Sequence, residues 1–253
     1  MKITLELYGA SRQFSKKSFL EFNLKKKNMR REAHFDKSNL LTKNGSDLIA
    51  NKFKFISKKL DNYLILDEDI ILDFINHNNS EITDINNISL VEGKFDAVIS
   101  NFSLQIPLFI NSTNVFTKIL SKLNDNSLFC FNVITNNSMR TLQNIFLEID
   151  EKIHGGAYRR FGPFLETSEL IDDMNKNKFQ DVVVGIDNLE INYSSLNKLR
   201  SDLKKFGIFN YFNEKYKFKK DFLSLTNKIF SKLVEKHKYI PLEIEIATFT
   251  SWK

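Results

Sequence analysis

Glycine is scarce in this sequence, and one long interval contains none. The 253 residues include eight glycines, and none lies between Gly45 and Gly93. An α/β domain that binds a nucleotide-like cofactor ordinarily has a glycine-rich turn after its first strand, because glycine lets the backbone approach the ligand closely. A buried strand is predicted at residues 63–66, inside this interval. We therefore expect that the chain does not hold a cofactor in the usual way.

Cysteine and long apolar runs are also scarce. The single cysteine, Cys130, excludes an internal disulfide and a zinc site built from several cysteines. It lies in an apolar run at residues 128–131, where we expect a buried, inert thiol. No apolar run approaches the roughly 20 residues that span a bilayer, and the first six residues lack the apolar core of a signal peptide. These absences predict a cytoplasmic chain without a membrane span.

The charge of the chain does not indicate a nucleic-acid partner. The formal net charge is +6, but the lysines are spread along the sequence. No nucleic-acid recognition motif accompanies them, so we expect no such role. The four histidines are separated in sequence and offer no H-x-x-x-H spacing, so no metal site is expected.

Short apolar strands alternate with amphipathic helices along the chain. Strands are predicted at residues 63–66, 94–100, 128–134, 181–186 and 242–246. Helices are predicted at residues 46–60, 113–123, 139–149, 166–175, 195–206 and 222–233, with Thr167 or Ser168 capping the fourth. This alternation predicts a three-layer α/β sandwich. Residues 1–27 form a predicted two-strand extension, and residues 28–253 form the main domain.

Four segments of the sequence, taken in order, each match a different sequence pattern of one protein group. They are FDAVISNFSLQ at residues 95–105, GGAYRRFGPF at 155–164, the run from 184 to 207, and IPLEIEIATFTSWK at 240–253. They resemble the FDLVxSxxxLHW, GG…R…PF, VDxDxxxVxYxSxxxLMxDLRxMG and lPATFEVxYLTGW patterns of one group of class I S-adenosylmethionine-dependent methyltransferases. This is the group of the malonyl-carrier-protein methyltransferase of biotin synthesis and of complex I assembly factor 5. The resemblance, from about Met29 onward, implies a Rossmann-like fold.

The sequence departs from this group in its cofactor half. In the group, two strands and their crossover helices precede the strand at residues 95–100. Only 29 positions separate Leu66 from Phe95, whereas one βαβ unit takes about 30 residues. Asp67, Glu68 and Asp69 stand where the glycine-rich turn is expected, and their charges repel a methionine carboxylate. The resemblance thus implies a shortened N-terminal half, with impaired or lost binding of S-adenosylmethionine.

The resemblance still assigns three candidate cofactor contacts. Asp67, with Asp69 or Asp73 as alternatives, takes the role of the ribose-binding acid, unless this stretch is only a solvated turn. Asp84 lies where the group carries an acidic residue near the adenine. Asn101 follows the strand at residues 94–100, at the edge where ligands of open α/β sheets bind. No catalytic residue is assigned, and Gln105 replaces the histidine of the group's LHW pattern.

Residues 154–164 concentrate three glycines, two arginines and three aromatic side chains. Two interpretations remain open. The segment is a structural loop with unusual backbone angles, or it is a lid whose arginine binds an acidic substrate group or the phosphopantetheine arm of a carrier. The second interpretation assigns substrate or partner contacts to Gly155, Gly156, Tyr158, Arg159 and Arg160.

Two functions follow from the sequence. One is an S-adenosylmethionine-dependent methyltransferase that acts on an acyl carrier protein. The other is a non-catalytic assembly or protein-interaction factor on the same scaffold. The C-terminal half keeps the group's pattern while the cofactor half does not, which favours a retained protein partner over a retained cofactor.

Overall fold

The computed structural model describes residues 40–66, 79–158, 160–205 and 220–253. Six α-helices, one 3-10 helix and six strands lie in these ranges. In chain order they are α1 (Leu40–Phe53), β1 (Tyr63–Leu66), β2 (Ser80–Thr83), the 3-10 helix Ile88–Leu90, β3 (Phe95–Asn101), α2 (Gln105–Lys122), β4 (Leu123–Ile134), α3 (Arg140–His154), α4 (Thr167–Lys176), β5 (Gln180–Tyr193), α5 (Leu196–Lys205), α6 (Lys220–His237) and β6 (Ile240–Trp252).

The six strands form one mixed sheet in the order β2-β1-β3-β4-β6-β5. β1 pairs in parallel with β2 and β3, and β3 pairs in parallel with β4. β6 runs antiparallel to β4, with Trp252 opposite Leu128 and Ile246 opposite Ile134. A parallel sheet is stable only when both faces are covered, which explains the continuous apolar runs in its central strands.

One face of the sheet is covered by α2 and α4. Alternate strand residues such as Leu64, Val98 and Phe131 join a buried cluster with side chains from both helices. The ring of Phe131 stacks on those of Phe129 and Phe249 with centroids 4.6 and 4.7 Å apart. Burial of each such side chain stabilises the fold by roughly 1.5–3 kcal/mol.

The opposite face of the sheet is covered by α1. The intervening strand residues Ile65, Ile99 and Cys130 form a second buried cluster with Ile49 of α1, which is itself fully buried. Because successive side chains on a strand point to opposite faces, the two clusters lie on either side of one sheet. The three-layer α/β sandwich predicted from the sequence is therefore confirmed.

The described residues divide into two compact units. The larger contains the described parts of residues 37–138, 164–189 and 244–253, and with them most of the sheet. The smaller contains residues 139–163 and the described parts of 190–243. Its helices α3 and α6 meet around Phe146, whose ring centroid lies 6.1 Å from that of Phe222 and 5.9 Å from that of Phe230.

The described elements confirm the predicted alternation but move several boundaries. α1 spans residues 40–53 rather than 46–60, and α2 starts at Gln105 rather than at residue 113 because a helical segment precedes a kink at Asn111. β5 and β6 are longer than predicted. The predicted cap of α4 is wrong, since Glu166 is its N-cap and makes no side-chain capping bond. The extension at residues 1–27 lies outside the described residues.

The described part of the sheet on the side of β1 and β2 is short. The sheet places one described strand, β2, beyond β1, and it has four residues. The described residues between β2 and β3 contain only the 3-10 helix Ile88–Leu90. No helix in the described part of the chain is long and apolar enough to cross a membrane.

Candidate functional site

The carboxyl ends of β1, β3 and β4 define the candidate site of the larger unit. Ligands of open α/β sheets bind in a crevice outside these strand ends. The three strands lie side by side, with Leu66 opposite Ser100 and Ser100 opposite Phe131. Polar side chains lie at or directly after the end of each strand. Whether the edge can bind a ligand depends on what these side chains already contact.

Two asparagines fasten α1 to the ends of β3 and β4. Asn101 Nδ2 donates to the carbonyl of Thr42 at 2.9 Å and to Ser46 Oγ at 3.2 Å. Asn132 Nδ2 donates to the carbonyl of Gly45 at 2.7 Å and to Asn101 Oδ1 at 3.0 Å. Asn101, predicted to contact a cofactor, is thus engaged with the protein's own helix.

Gly45 permits this close approach of α1. A methyl group on Gly45 would lie 2.2 Å from Asn101 Oδ1 and 2.5 Å from the ring of Phe102. Contacts under 3 Å force a displacement, so any larger residue moves the helix or breaks the asparagine pair. Because Gly45 has no side chain, α1 can lie in direct contact with the ends of β3 and β4.

The turn after β3 reaches the end of β1. Ser103 Oγ donates to the carbonyl of Leu66 at 3.0 Å, and Ser100 Oγ lies 2.6 Å from Ser103 Oγ. The turn passes through Phe102, whose φ of 64° is a left-handed conformation rarely adopted by aromatic residues. The last carbonyl of β1 is therefore bound by the protein itself where the chain leaves the sheet.

Gln105 fixes the end of β4. Its Nε2 donates to the carbonyl of Ile134 at 2.8 Å, and its Oε1 accepts from the amide of Ile134 at 2.7 Å. The side chain is buried and pairs with the backbone as a neighbouring strand would. The residue in the place of the group's histidine thus joins the start of α2 to the sheet.

Asp84 directly follows β2 and binds its own turn. Its Oδ1 accepts from the amides of Asn86 and Asn87 at 2.7 and 3.2 Å, and its Oδ2 accepts from Asn87 Nδ2 at 2.6 Å. An aspartate that bonds amides two and three residues ahead is typical of a turn that starts a helix. Asp67, Asp69 and Asp73 lie outside the described residues.

A polar segment after β4 was not identified from the sequence. Thr135 Oγ1 and Asn137 Nδ2 both donate to Glu245 Oε1, at 2.5 and 2.8 Å, and the amide of Glu245 donates to Ser138 Oγ at 2.9 Å. Asn136 Nδ2 donates to Glu166. The available signal was four consecutive polar residues, 135–138, directly after the mostly apolar run at residues 128–134.

The loop at residues 155–160 belongs to the smaller unit, and its glycines differ. Gly155 has a φ of 70° and ends α3, donating its amide to the carbonyl of Glu151 at 3.1 Å. Glycine is favoured there because this backbone conformation strains a side chain. Gly156 has open space around it. Tyr158 contacts His154 edge to face, with ring centroids 5.2 Å apart.

Arg160 is buried within the smaller unit. Its Nε donates to Asp150 Oδ2 at 2.8 Å, and its terminal nitrogen bonds the other carboxylate oxygen. The guanidinium lies 4.3 Å from the ring centre of Phe222 and 5.6 Å from that of Phe146. These contacts give the side chain a structural role, since 1% of it is exposed. Arg159 lies outside the described residues.

A third segment of the sequence pattern also forms an internal contact. Tyr193 Oη donates to Asp202 Oδ2 at 3.0 Å. Burial, together with this hydrogen bond and the nearby carboxylate, raises the pKa of Tyr193 above its usual range. The tyrosine therefore stays protonated at neutral pH. Among the described residues, no group of His, Cys, Asp or Glu side chains is arranged to hold a metal ion.

Two of the predicted cofactor contacts, Asp84 and Asn101, lie at the carboxyl edge and bond the protein itself. Asp84, predicted to lie near the adenine, accepts three hydrogen bonds from its own turn, and the candidates for the ribose-binding acid lie outside the described residues. At the end of β1, Ser103 Oγ bonds the carbonyl of Leu66, and Asn101 and Asn132 bond the backbone of α1.

No family model and no curated protein matches this sequence. Among solved structures, BH2331 of Bacillus halodurans, described as a candidate methyltransferase, is 8% identical with a TM-score of 0.49 over 81% of this chain and 98% of its own. The YcgJ protein of Bacillus subtilis is 10% identical, with a TM-score of 0.45 over 83% and 98% of the two chains. A SAM-dependent methyltransferase of Archaeoglobus fulgidus is 13% identical, with a TM-score of 0.43 over 84% and 94%.

Proposed function

We infer that this chain is a methyltransferase-like protein of the malonyl-carrier-protein and complex I assembly factor group that has lost cofactor binding. It acts as a non-catalytic assembly or protein-interaction factor. The observation that carries the proposal is the set of internal bonds across the carboxyl edge, above all Ser103 to Leu66 and Asn101 to α1. A cytoplasmic location is part of the proposal and accords with the free, buried thiol of Cys130.

The energetics of the edge support the loss of the cofactor. If S-adenosylmethionine displaced these partly or fully buried hydrogen bonds, each freed polar group that the ligand did not bond would be left unsatisfied. That penalty is about 1–3 kcal/mol per group. The sequence adds Asp67, Glu68 and Asp69 directly after β1, whose charges oppose the methionine carboxylate.

The retained pattern residues support a protein-binding role. Arg160 bonds Asp150, and Tyr193 bonds Asp202, so these pattern residues bind other residues of the chain. They keep the scaffold folded without contributing to a reaction, as an interaction protein requires. The partner is an acyl carrier protein or another protein, and the contacts proposed for it are Gly155, Gly156, Tyr158 and Arg159, with Arg160 positioning the loop from within.

The competing function is an active S-adenosylmethionine-dependent methyltransferase that acts on an acyl carrier. It is favoured by the polar segment at residues 135–138, which follows the longest parallel strand at the edge where a substrate would bind. In this function Asp67, Asp84 and Asn101 contact the cofactor, so Asp84 and Asn101 would have to exchange their present partners for the ligand.

Thermal unfolding with and without S-adenosylmethionine separates the two functions. A ligand at 100 times its dissociation constant stabilises the folded state by about 2.7 kcal/mol, which raises Tm by roughly 5–10 °C for a chain of this size. We expect a shift below 1 °C at 1 mM S-adenosylmethionine. A shift of several degrees that saturates with concentration would establish cofactor binding and remove the main support for the proposed loss.

A further inference from the structure

The side-chain amide of Asn132 is held in one orientation by its neighbours. The carbonyl of Thr42 accepts a hydrogen bond from Asn101 Nδ2, so Asn101 Oδ1 is the atom that faces Asn132. Asn132 thus meets two groups that only accept, Asn101 Oδ1 and the carbonyl of Gly45, and donates to both from its Nδ2. The oxygen of the same amide, Asn132 Oδ1, must therefore be satisfied by a different group.

Asn132 Oδ1 is buried and bonds no described residue. The whole side chain has no exposed surface. An amide oxygen is an acceptor, and a buried acceptor without a donor is destabilising. Most buried polar atoms in folded proteins therefore bond either the protein or ordered water. This oxygen requires a donor.

Thr248 places a second buried polar atom beside this oxygen. β4 and β6 are antiparallel, and Thr248 is the residue directly opposite Asn132. The side chains of two such residues lie on the same face of the sheet, with their Cβ atoms about 4.5–5.5 Å apart. Thr248 is also fully buried, and its Oγ1 bonds no described residue. The hydroxyl and the amide oxygen are therefore neighbours that do not bond each other.

Both atoms lie on the face of the sheet that α1 covers. The pair two residues along the same strands, Cys130 and Thr250, shares this face because side chains alternate along a strand. Cys130 packs in the apolar cluster that includes Ile49 of α1. Bulk solvent does not reach the two oxygens, so a group that satisfies them has to reside inside the protein.

We propose that one ordered water molecule binds between Asn132 Oδ1 and Thr248 Oγ1. The water donates one hydrogen to the amide oxygen. Its second bond is to the threonine hydroxyl, which can donate or accept. Globular proteins contain about one buried water per 27 residues, and each such water bonds two to four otherwise unsatisfied polar groups.

The chemistry of the two groups selects water over an ion or a larger ligand. An anion is disfavoured because Asn132 Oδ1 can only accept hydrogen bonds. Ca²⁺ and Mg²⁺ take about six or more oxygen ligands, whereas this pair supplies two. The spacing of about 5 Å between side chains on neighbouring strands leaves space for one small molecule.

The bound water completes the attachment of α1 to the sheet. By occupying Asn132 Oδ1 it fixes the amide with Nδ2 toward the carbonyl of Gly45. The site goes beyond the proposed function and does not depend on it, because neither loss nor retention of a cofactor changes these two side chains.

Magnetic relaxation dispersion of the water oxygen nucleus counts the long-lived internal waters of the full chain in solution. We expect Thr248→Val, which keeps the shape of the side chain and removes its hydroxyl, to lower the count by one. Thr250→Val is the matched control, because Thr250 lies two residues along the same face of β6 and is only half-buried. It should leave the count unchanged. A crystal structure of the unchanged chain should show the water between the two oxygens.

Hydrogen exchange supplies a second readout. In Thr248→Val the amides of α1 should exchange at least about five-fold faster, because Asn132 Oδ1 is left unsatisfied and Asn132 holds the helix less firmly. An unchanged count or unchanged exchange in a folded Thr248→Val variant would overturn the proposal, as would equal losses in both variants. So would a crystal structure in which Thr248 Oγ1 bonds Asn132 Oδ1 directly. If Thr248→Val does not fold, the crystal structure of the unchanged chain decides alone.

Discussion

The two sides of the sheet's carboxyl edge differ in how they are completed. On the side of β1 and β2, each strand has four residues, and the acid that follows β2 bonds its own turn. On the other side the strands are longer, seven residues in β3 and 12 in β4, and Asn101 at the end of β3 bonds α1 while Gln105 at the start of α2 bonds Ile134 at the end of β4. The comparison shows a fold stabilised by internal hydrogen bonds at strand ends where a ligand site would need polar groups that can contact the ligand.

The largest effect is expected where a retained pattern residue is buried. Arg160→Ala should lower the free energy of unfolding by about 3–5 kcal/mol, because it leaves Asp150 charged and unpaired in the interior. Urea unfolding at pH 7 measures the change. If Arg160 serves a partner instead, the variant will unfold like the unchanged chain.

A second variant separates packing from charge at this position. Arg160→Met combined with Asp150→Leu should recover most of the loss, since an apolar pair of similar volume often replaces a buried ion pair at little cost. A double variant as unstable as Arg160→Ala alone would contradict the view that the unpaired carboxylate causes the damage.

The next effect concerns the closure of α1 onto the strand ends. Gly45→Ala should destabilise the chain by about 1–3 kcal/mol through overpacking, although alanine ordinarily favours a helix, because its methyl group would meet Asn101 and Phe102. Gly156→Ala is the control: nothing lies within 4 Å of its added carbon, so its stability should stay within about 0.5 kcal/mol. Equal effects of the two would show that α1 is not closely held.

A smaller effect is expected on the shortened side. Asp84→Ala should cost about 0.5–2 kcal/mol, as loss of a capping side chain does, and Asp84→Asn should cost less because its side-chain oxygen can still accept from the amides of Asn86 and Asn87. Chemical denaturation measures both. If Asp84→Ala were fully stable, the turn would not need the carboxylate of Asp84. That carboxylate would then be available to a ligand, which would weaken the comparison.

The smallest effect is expected for chemical labelling of Cys130, which tests whether α1 separates from the sheet while the chain stays folded. Burial raises the pKa of the Cys130 thiol to about 12, with the charge of Lys52 acting in the opposite direction. The thiol therefore stays protonated at pH 8, and a thiol reagent should label it only as fast as the chain unfolds. Labelling that is faster than global unfolding would show that α1 detaches from the sheet without denaturation.

The sequence predicts the helix and sheet layers of this fold better than it predicts the contacts made at the carboxyl edge of the sheet. Apolar runs identify the central strands because burial on both faces leaves no other composition for them. Asp84 is a partial exception at the edge, because its partners lie two and three residues ahead and form a turn signal that a sequence can show. The pattern at residues 95–105 correctly placed Asn101 at the end of a strand.

The contacts of the edge residues depend on chain segments far apart. Asn101 binds α1 across 59 and 55 residues, and Gln105 binds Ile134 across 29. Nothing local in the sequence distinguishes an amide that binds a ligand from one that binds a distant backbone. Glu245 illustrates the same point, since its partners Thr135 and Asn137 precede it by 110 and 108 residues.

The central claim is that the carboxyl edge is completed by the protein and not by S-adenosylmethionine. Isothermal titration calorimetry of the full chain with S-adenosylhomocysteine, the demethylated product, tests it most directly. We predict no saturable heat at protein concentrations of tens of micromolar. Saturable binding at micromolar affinity, weakened by Asp84→Ala in a variant that stays folded, would contradict the account and restore the methyltransferase function.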